Sequence, residues 1–260
     1  MAESEENPWE ALERELAAWQ AAGCQATFWW RDDDATRADP RLDRLLKLST
    51  KTGAPVALAV IPLGVEASLA ATLEACPSAS ALQHGYAHVN HAPRGQGLGA
   101  WELGLHRARK AVLSDLEAGR ERLKAALGAR FTPVITPPWN RIDPALFTDL
   151  PGMGYRGVTA FGARPAAEPV PGLRLNHAHC DPISWKRGSA FAGDAKALGQ
   201  VTRHLRARRS GEADPEEATG LLTHHADMDE ASWAFTARLL EVMAAAPAAR
   251  FVSVQELFPA

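Results

Sequence analysis

The chain has 260 residues, 46% of them hydrophobic and 23% charged, and carries a net charge of −3. This composition is globular and excludes a disordered or fibrous chain. With no basic excess, binding to nucleic-acid phosphates is not expected.

The apolar residues Trp9, Leu12, Leu16 and Trp19 recur at helical spacing, so a helix is predicted at about 8–22, stopped by Gly23. Ala26 to Trp30 is a β-prone run ending abruptly in Arg31-Asp32-Asp33-Asp34. A helix from Arg41 to Thr52, a buried parallel strand from Val56 to Ile61 and a helix from Val65 to Ala75 follow. Ala81 to Gln83 is a short strand that leads into a histidine cluster and a Gly-rich loop with Gly95, Gly97 and Gly99. An amphipathic helix from about Leu105 to Leu127 comes next. Then come a strand from Phe131 to Ile135, a helix from Pro144 to Leu150 and strands at Gly157 to Phe161 and Leu173 to Asn176. A helix from Asp194 to Arg209, a solvated acidic loop from Gly211 to Glu217, a strand at Leu221 to Thr223, a helix from Glu230 to Ala245 and a strand from Phe251 to Val254 complete the pattern.

Strands alternating with helices, without a break in composition, predict an α/β chain whose residues 1–260 form a single (β/α) barrel, with a doubly wound sheet as the runner-up. No run of 18 apolar residues suggests a membrane span, and the acidic start Met1 to Glu6 lacks a secretory signal. The three cysteines, Cys24, Cys76 and Cys180, are odd in number and widely spaced, which suits a reducing compartment. A cytoplasmic location is expected.

In parallel α/β folds, chemistry gathers at the C-terminal ends of strands. Asp32-Asp33-Asp34 are adjacent like charges that a cation would stabilise beside an apolar strand, although acidic runs also cap helices in exposed loops. His84 and His88 stand at i and i+4, which on a helical turn would let both imidazoles reach one ion. Trp139, in the stiff Thr136-Pro137-Pro138-Trp139 loop, could form a flat wall for a sugar ring. Asp181 and Trp185 follow another short strand, and His224 and His225 end the Leu221 to Thr223 strand. Strand alternation lets only one of these two histidines face the site.

In their order along the chain, these segments resemble the polysaccharide deacetylases of carbohydrate esterase family 4. The five family motifs are matched at Asp32 to Asp34, His84 to His88, Thr136 to Trp139, Asp181 to Trp185 and Leu222 to His224. The resemblance implies a distorted barrel of about seven parallel strands and metal-dependent removal of an acetyl group from an N-acetylated amino sugar or polysaccharide. A metal-dependent amidase acting on a non-sugar amide, and a catalytically weakened glycan-binding barrel, are the alternatives. The resemblance assigns Zn²⁺ or another divalent first-row metal to Asp33, His84 and His88, with Asp32 as base. A register shifted by one makes Asp33 the base and Asp34 the ligand. His224 would be the acid, Asp181 would orient it or a neighbouring cation, and Tyr86, Trp139, Trp185 and His225 would contact the substrate. Thr136 stands where the family has an arginine that tethers the base, and Arg141 is the expected substitute, paired with Asp32. Gly85 stands where a Ser or Thr braces the histidine loop, and Ser184 where the fourth motif has its second aspartate.

Overall fold

The computed structural model describes residues 7–186 and 188–260. Helix α1 (Pro8–Ala21) is capped by the side chain of Asn7, which accepts from the Trp9 amide. It is followed by β1 (Ala26–Ala35), α2 (Pro40–Thr52), β2 (Val56–Val60), α3 (Ala67–Glu74), β3 (Ala79–His84), α4 (Arg109–Leu127) and β4 (Phe131–Thr136). The second half holds β5 (Gly157–Val158), β6 (Arg174–Leu175), a hairpin of β7 (Ile183–Ser184) and β8 (Ala190–Phe191), then α5 (Asp194–Ser210). The chain ends with β9 (Thr219–Thr223), α6 (Glu230–Ala245), β10 (Ala249–Phe251) and α7 (Val254–Leu257).

Strands β1 to β6 pair in sequence order and in parallel, while β9 and β10 both pair in parallel with β1. The ring is completed by irregular chain beyond β6. Ala178 bridges Phe161, and Cys180 bridges Leu221 of β9, with Leu222 N–H donating to the Cys180 carbonyl at 2.8 Å. The result is the expected distorted barrel with about seven parallel walls. Strands β2, β3 and β9 are buried along their whole length, and β2 accordingly reads as a continuous apolar run.

Helix α1 packs on α5 outside the barrel. Its Trp9 indole donates to Asp194 at 3.0 Å, and its buried Glu15 takes a two-pronged ion pair from Arg209. Among the described residues no helix is long and apolar enough to cross a membrane.

The structure departs from the sequence reading in places. The seven residues from Pro144 to Leu150, set between prolines, form only a 3₁₀ turn at Pro144–Leu146, because so short a segment does not sustain an α-helix. The last strand stops at Phe251, since Ser253 and Glu256 form a capping box that starts α7. The acidic loop before β9 is not wholly solvated: Glu217 is fully buried.

Candidate active site

The three aspartates lie within β1 rather than after it, and strand geometry sorts them. Alternation sends Arg31 and Asp33 to the barrel interior, and Trp30 and Asp32 outward to the helices. On the outer side, Asp32 accepts from Thr223 Oγ1 (2.6 Å) and from the His225 amide (3.0 Å), and its other oxygen meets His225 Nδ1. Thr223 Oγ1 in turn accepts from the Trp30 indole at 2.9 Å. Asp32 is thus sealed in a brace between β1 and β9, away from the cleft. Strict alternation would send Asp34 outward as well, but the β1–β2 register shifts between Asp32 and Ala35, and Asp34 has φ 72°. This bulge turns Asp34 back toward the strand ends, so that Asp33 and Asp34 line one cleft.

The carboxylate facing the histidines is therefore Asp34, not Asp33. Asp34 Oδ1 lies 3.2 Å from His84 Nε2 and 3.5 Å from His88 Nε2. His84 and His88 do not share a helical turn: His84 ends β3, and the chain reverses through Gly85 and His88, both with φ near 55°. His84 Nδ1 lies 2.9 Å from the Thr136 carbonyl. A carbonyl can only accept, so Nδ1 carries the proton and the Nε2 lone pair is free. Burial alone would raise the Asp34 carboxyl, but His84, His224 and His88 together hold it well below its ordinary range.

Two features of this loop were not read from sequence. Glu102, buried in the Gly-rich region, accepts from the amides of Tyr86 (3.2 Å) and Ala87 (2.8 Å), so it braces the histidine loop in place of a Ser or Thr. Gly85 is required beside it, since a Cβ there would fall 1.9 Å from a Glu102 oxygen.

The arginine on the inner aspartate is Arg31. Fully buried, it contacts Asp33 through Nε (2.9 Å) and a terminal nitrogen (3.2 Å), and also binds Asn140 Oδ1 and the Thr159 carbonyl and hydroxyl. Arg141 does not pair with Asp32. It is exposed, donates to the Leu98 and Ala100 carbonyls and lies over Trp101, because Asp32 is sealed on the far side of β1. Arg31→Met would strand a buried carboxylate and is expected to cost about 3–5 kcal/mol of stability. Arg141→Met should cost less than about 1 kcal/mol. Denaturant unfolding of the two variants measures the contrast.

The cleft has a volume of about 680 Å³ and is rimmed by the half-exposed aromatics Trp139, Phe161 and Trp185. Four non-glycine residues among those described adopt left-handed backbone, Asp34, His88, Trp139 and Asn140, and all four line it. Such strain concentrates where function requires a particular geometry. His224 also faces the cleft, while His225 points away to Asp32 and is buried there, out of reach of a substrate. Asp181 makes no hydrogen bond to His224. It accepts from the Trp185 indole at 2.9 Å, and Trp185 packs edge-on against the His224 ring at 4.8 Å, so Asp181 supports His224 through the tryptophan and through space rather than by a direct hydrogen bond. Tyr86 is not among the residues lining the cleft.

A second group, His179, His204 and Glu217, lies near the start of β9, with Nε2–carboxylate distances of 3.4 and 3.5 Å. The tautomer separates it from the first. His179 Nδ1 accepts from the Gly220 amide at 3.0 Å, so the proton sits on Nε2 and points at Glu217 rather than offering a lone pair. Glu217 also accepts from the amides of Arg164 and His177, so it knots the foot of the barrel together. Burial lowers His177 and His179 from 6.5 to about 4. Between those values these two sites bind more protons in the unfolded chain than in the native one, so their contribution to stability should fall as pH drops from about 6.5 to about 4. The loss is on the order of 2–3 kcal/mol per histidine. Unfolding free energies at pH 7 and 4.5 test this, and His179→Gln should flatten the slope.

No family model matches the chain, and no curated protein matches it in sequence. Solved structures do match its fold. The peptidoglycan deacetylase PdaC from Bacillus subtilis is 14% identical over 90% of each chain, with a TM-score of 0.53. A family 4 acetyl xylan esterase from Clostridium thermocellum, in complex with a cobalt ion, is 14% identical over 89% of this chain and 90% of its own, with a TM-score of 0.50. A family 4 carbohydrate esterase from Streptomyces lividans, in complex with acetate, is 13% identical over 89% and 94%, with a TM-score of 0.51. At these identities the likeness is one of fold, and the fold is the one the five motifs imply.

Proposed function

We propose that the chain is a divalent-metal-dependent deacetylase of N-acetylated amino sugars. The observation that carries this reading is the convergence of three donors in an open cleft. Asp34 Oδ1, buried and without a hydrogen-bond partner, sits 3.2 and 3.5 Å from the Nε2 atoms of His84 and His88. Ligands about 2.0–2.1 Å from a tetrahedral Zn²⁺ stand about 3.3–3.4 Å apart, so the spacing suits such an ion. Asp34, His84 and His88 would hold Zn²⁺ or another divalent first-row metal, which when bound polarises an acyl carbonyl and lowers the pKa of water.

Asp33, beside them in the cleft and gripped by Arg31, takes the proton from the attacking water. His224 returns a proton to the departing nitrogen, because an amide nitrogen leaves poorly without one. Trp185 fixes the His224 ring, and Asp181 fixes Trp185. The faces of Trp139, Phe161 and Trp185 are apolar platforms suited to pyranose rings, which favours a sugar over a small non-sugar amide. With ligands, base and acid all present, turnover is favoured over glycan binding alone.

The test pairs elemental analysis of the purified protein with acetate release from N-acetylated sugars and a simple acetanilide, before and after chelation. About one metal ion per chain and chelator-sensitive acetate release from sugars are expected. Acetate release that survives complete metal removal, or none from any substrate by metal-loaded protein, would overturn the reading.

A further inference from the structure

We propose that the cleft recognises a negatively charged substituent, carboxylate or phosphate, on its amino-sugar substrate, through Lys186 and Lys196. The proposal rests on the deacetylase reading of the same cleft. Both lysines line it, and they are two of the chain's six lysines. Neither has an ion pair or hydrogen bond among the described residues, although the cleft also holds Asp33, Asp34 and Asp181.

The setting of Lys196 runs against local preference. Lys196 occupies the first turn of α5, where the helix macrodipole disfavours a cation, and the N-cap there, Gly193, has no side chain to cap the free amides. Gln200, one turn further along the same face, lines the cleft and accepts from the Asp181 amide at 3.2 Å. This face of α5 therefore borders the site, with Lys186 and Lys196 both exposed at its rim. Lys186 follows the half-exposed Trp185, on the connection between β7 and β8. Stacking of a neutral sugar needs aromatic faces and neutral donors, and the rim supplies those without lysine. Two unpaired ammonium groups beside three carboxylates instead offer an anion its own place, at a distance from the acetyl group.

The experiment compares N-acetylglucosamine, N-acetylmuramic acid and N-acetylglucosamine 6-phosphate on the metal-loaded protein. It uses the wild type and the Lys186→Gln, Lys196→Gln and double variants. kcat/KM is read from acetate release, and Kd is read separately by calorimetry. The charged probes should be preferred over the neutral one, and each substitution should cut that preference about 3- to 10-fold, chiefly through KM. The preference should also shrink as ionic strength rises from about 0.05 to about 0.5 M. Which charged probe gains more identifies carboxylate or phosphate. If the substitutions lower turnover of neutral and charged probes alike, the lysines merely balance the aspartates and the proposal fails. It fails equally if all three probes are turned over with the same kcat/KM. Lysine-dependent binding of the charged probes with no acetate released from any of them would sustain the anion site and overturn the deacetylase reading instead.

Discussion

Asp34→Asn is expected to lose the metal, and Asp33→Asn is expected to keep it. An amide oxygen is a far weaker ligand than a carboxylate, and Asp34 supplies the single carboxylate oxygen facing the two imidazoles. Metal content in Asp34→Asn should fall from about one ion per chain to a small fraction of it, and a His84→Ala/His88→Ala double variant should do the same. In Asp33→Asn the donor set is intact. The side chain that would take the proton is gone, however, so the rate should drop about 10²–10⁴-fold at normal metal content. Metal retained by Asp34→Asn and lost by Asp33→Asn would return the site to the Asp32/Asp33 register. Full occupancy in the double histidine variant would remove the site altogether.

The register at β1 shows what a sequence can and cannot convey. Three identical residues in a row carry no mark of which one a bulge will turn, and the left-handed turn at Asp34 comes from pairing with β2, which lies 20 or more residues away. Parity did carry usable information. Arg31 and Asp33 are two apart on a strand and so share a face, a signal of the buried pair that the motif comparison passed over. The family pattern, which places its arginine in the third motif, drew attention to Arg141 instead. Glu102 and Glu217 were invisible for a different reason. Each sits in a loop without a periodic pattern to mark it, and only tertiary closure takes it out of water and onto backbone amides. The helices and long strands, by contrast, were legible from periodicity. β2 and α2 match to within a residue or so, and α2 ends at Gly53 in a left-handed cap.

The two adjacent histidines that follow β9 should fail in different ways. His224 faces the cleft, and nothing in the fold depends on its Nδ1, which is buried without a hydrogen-bond partner. His224→Ala should therefore keep fold and metal and lose about 10²–10⁴-fold in rate on an N-acetyl sugar, the usual worth of a general acid. The loss should be smaller on an activated acetyl ester, whose leaving group needs less protonation. His225 sits on the opposite face, where Asp32 and Asp39 raise it above its ordinary value against the effect of burial. Its ring meets a fully buried Asp32 carboxylate. His225→Ala leaves that carboxylate without its cation, which costs about 3–5 kcal/mol of stability. Its activity should scale with the fraction folded, equally for amide and ester. The amide-to-ester ratio thus separates the two roles. A ratio that collapses in His225→Ala and holds in His224→Ala would mean that the acid is the outer histidine, and that the β9 strand end presents the opposite face to the substrate.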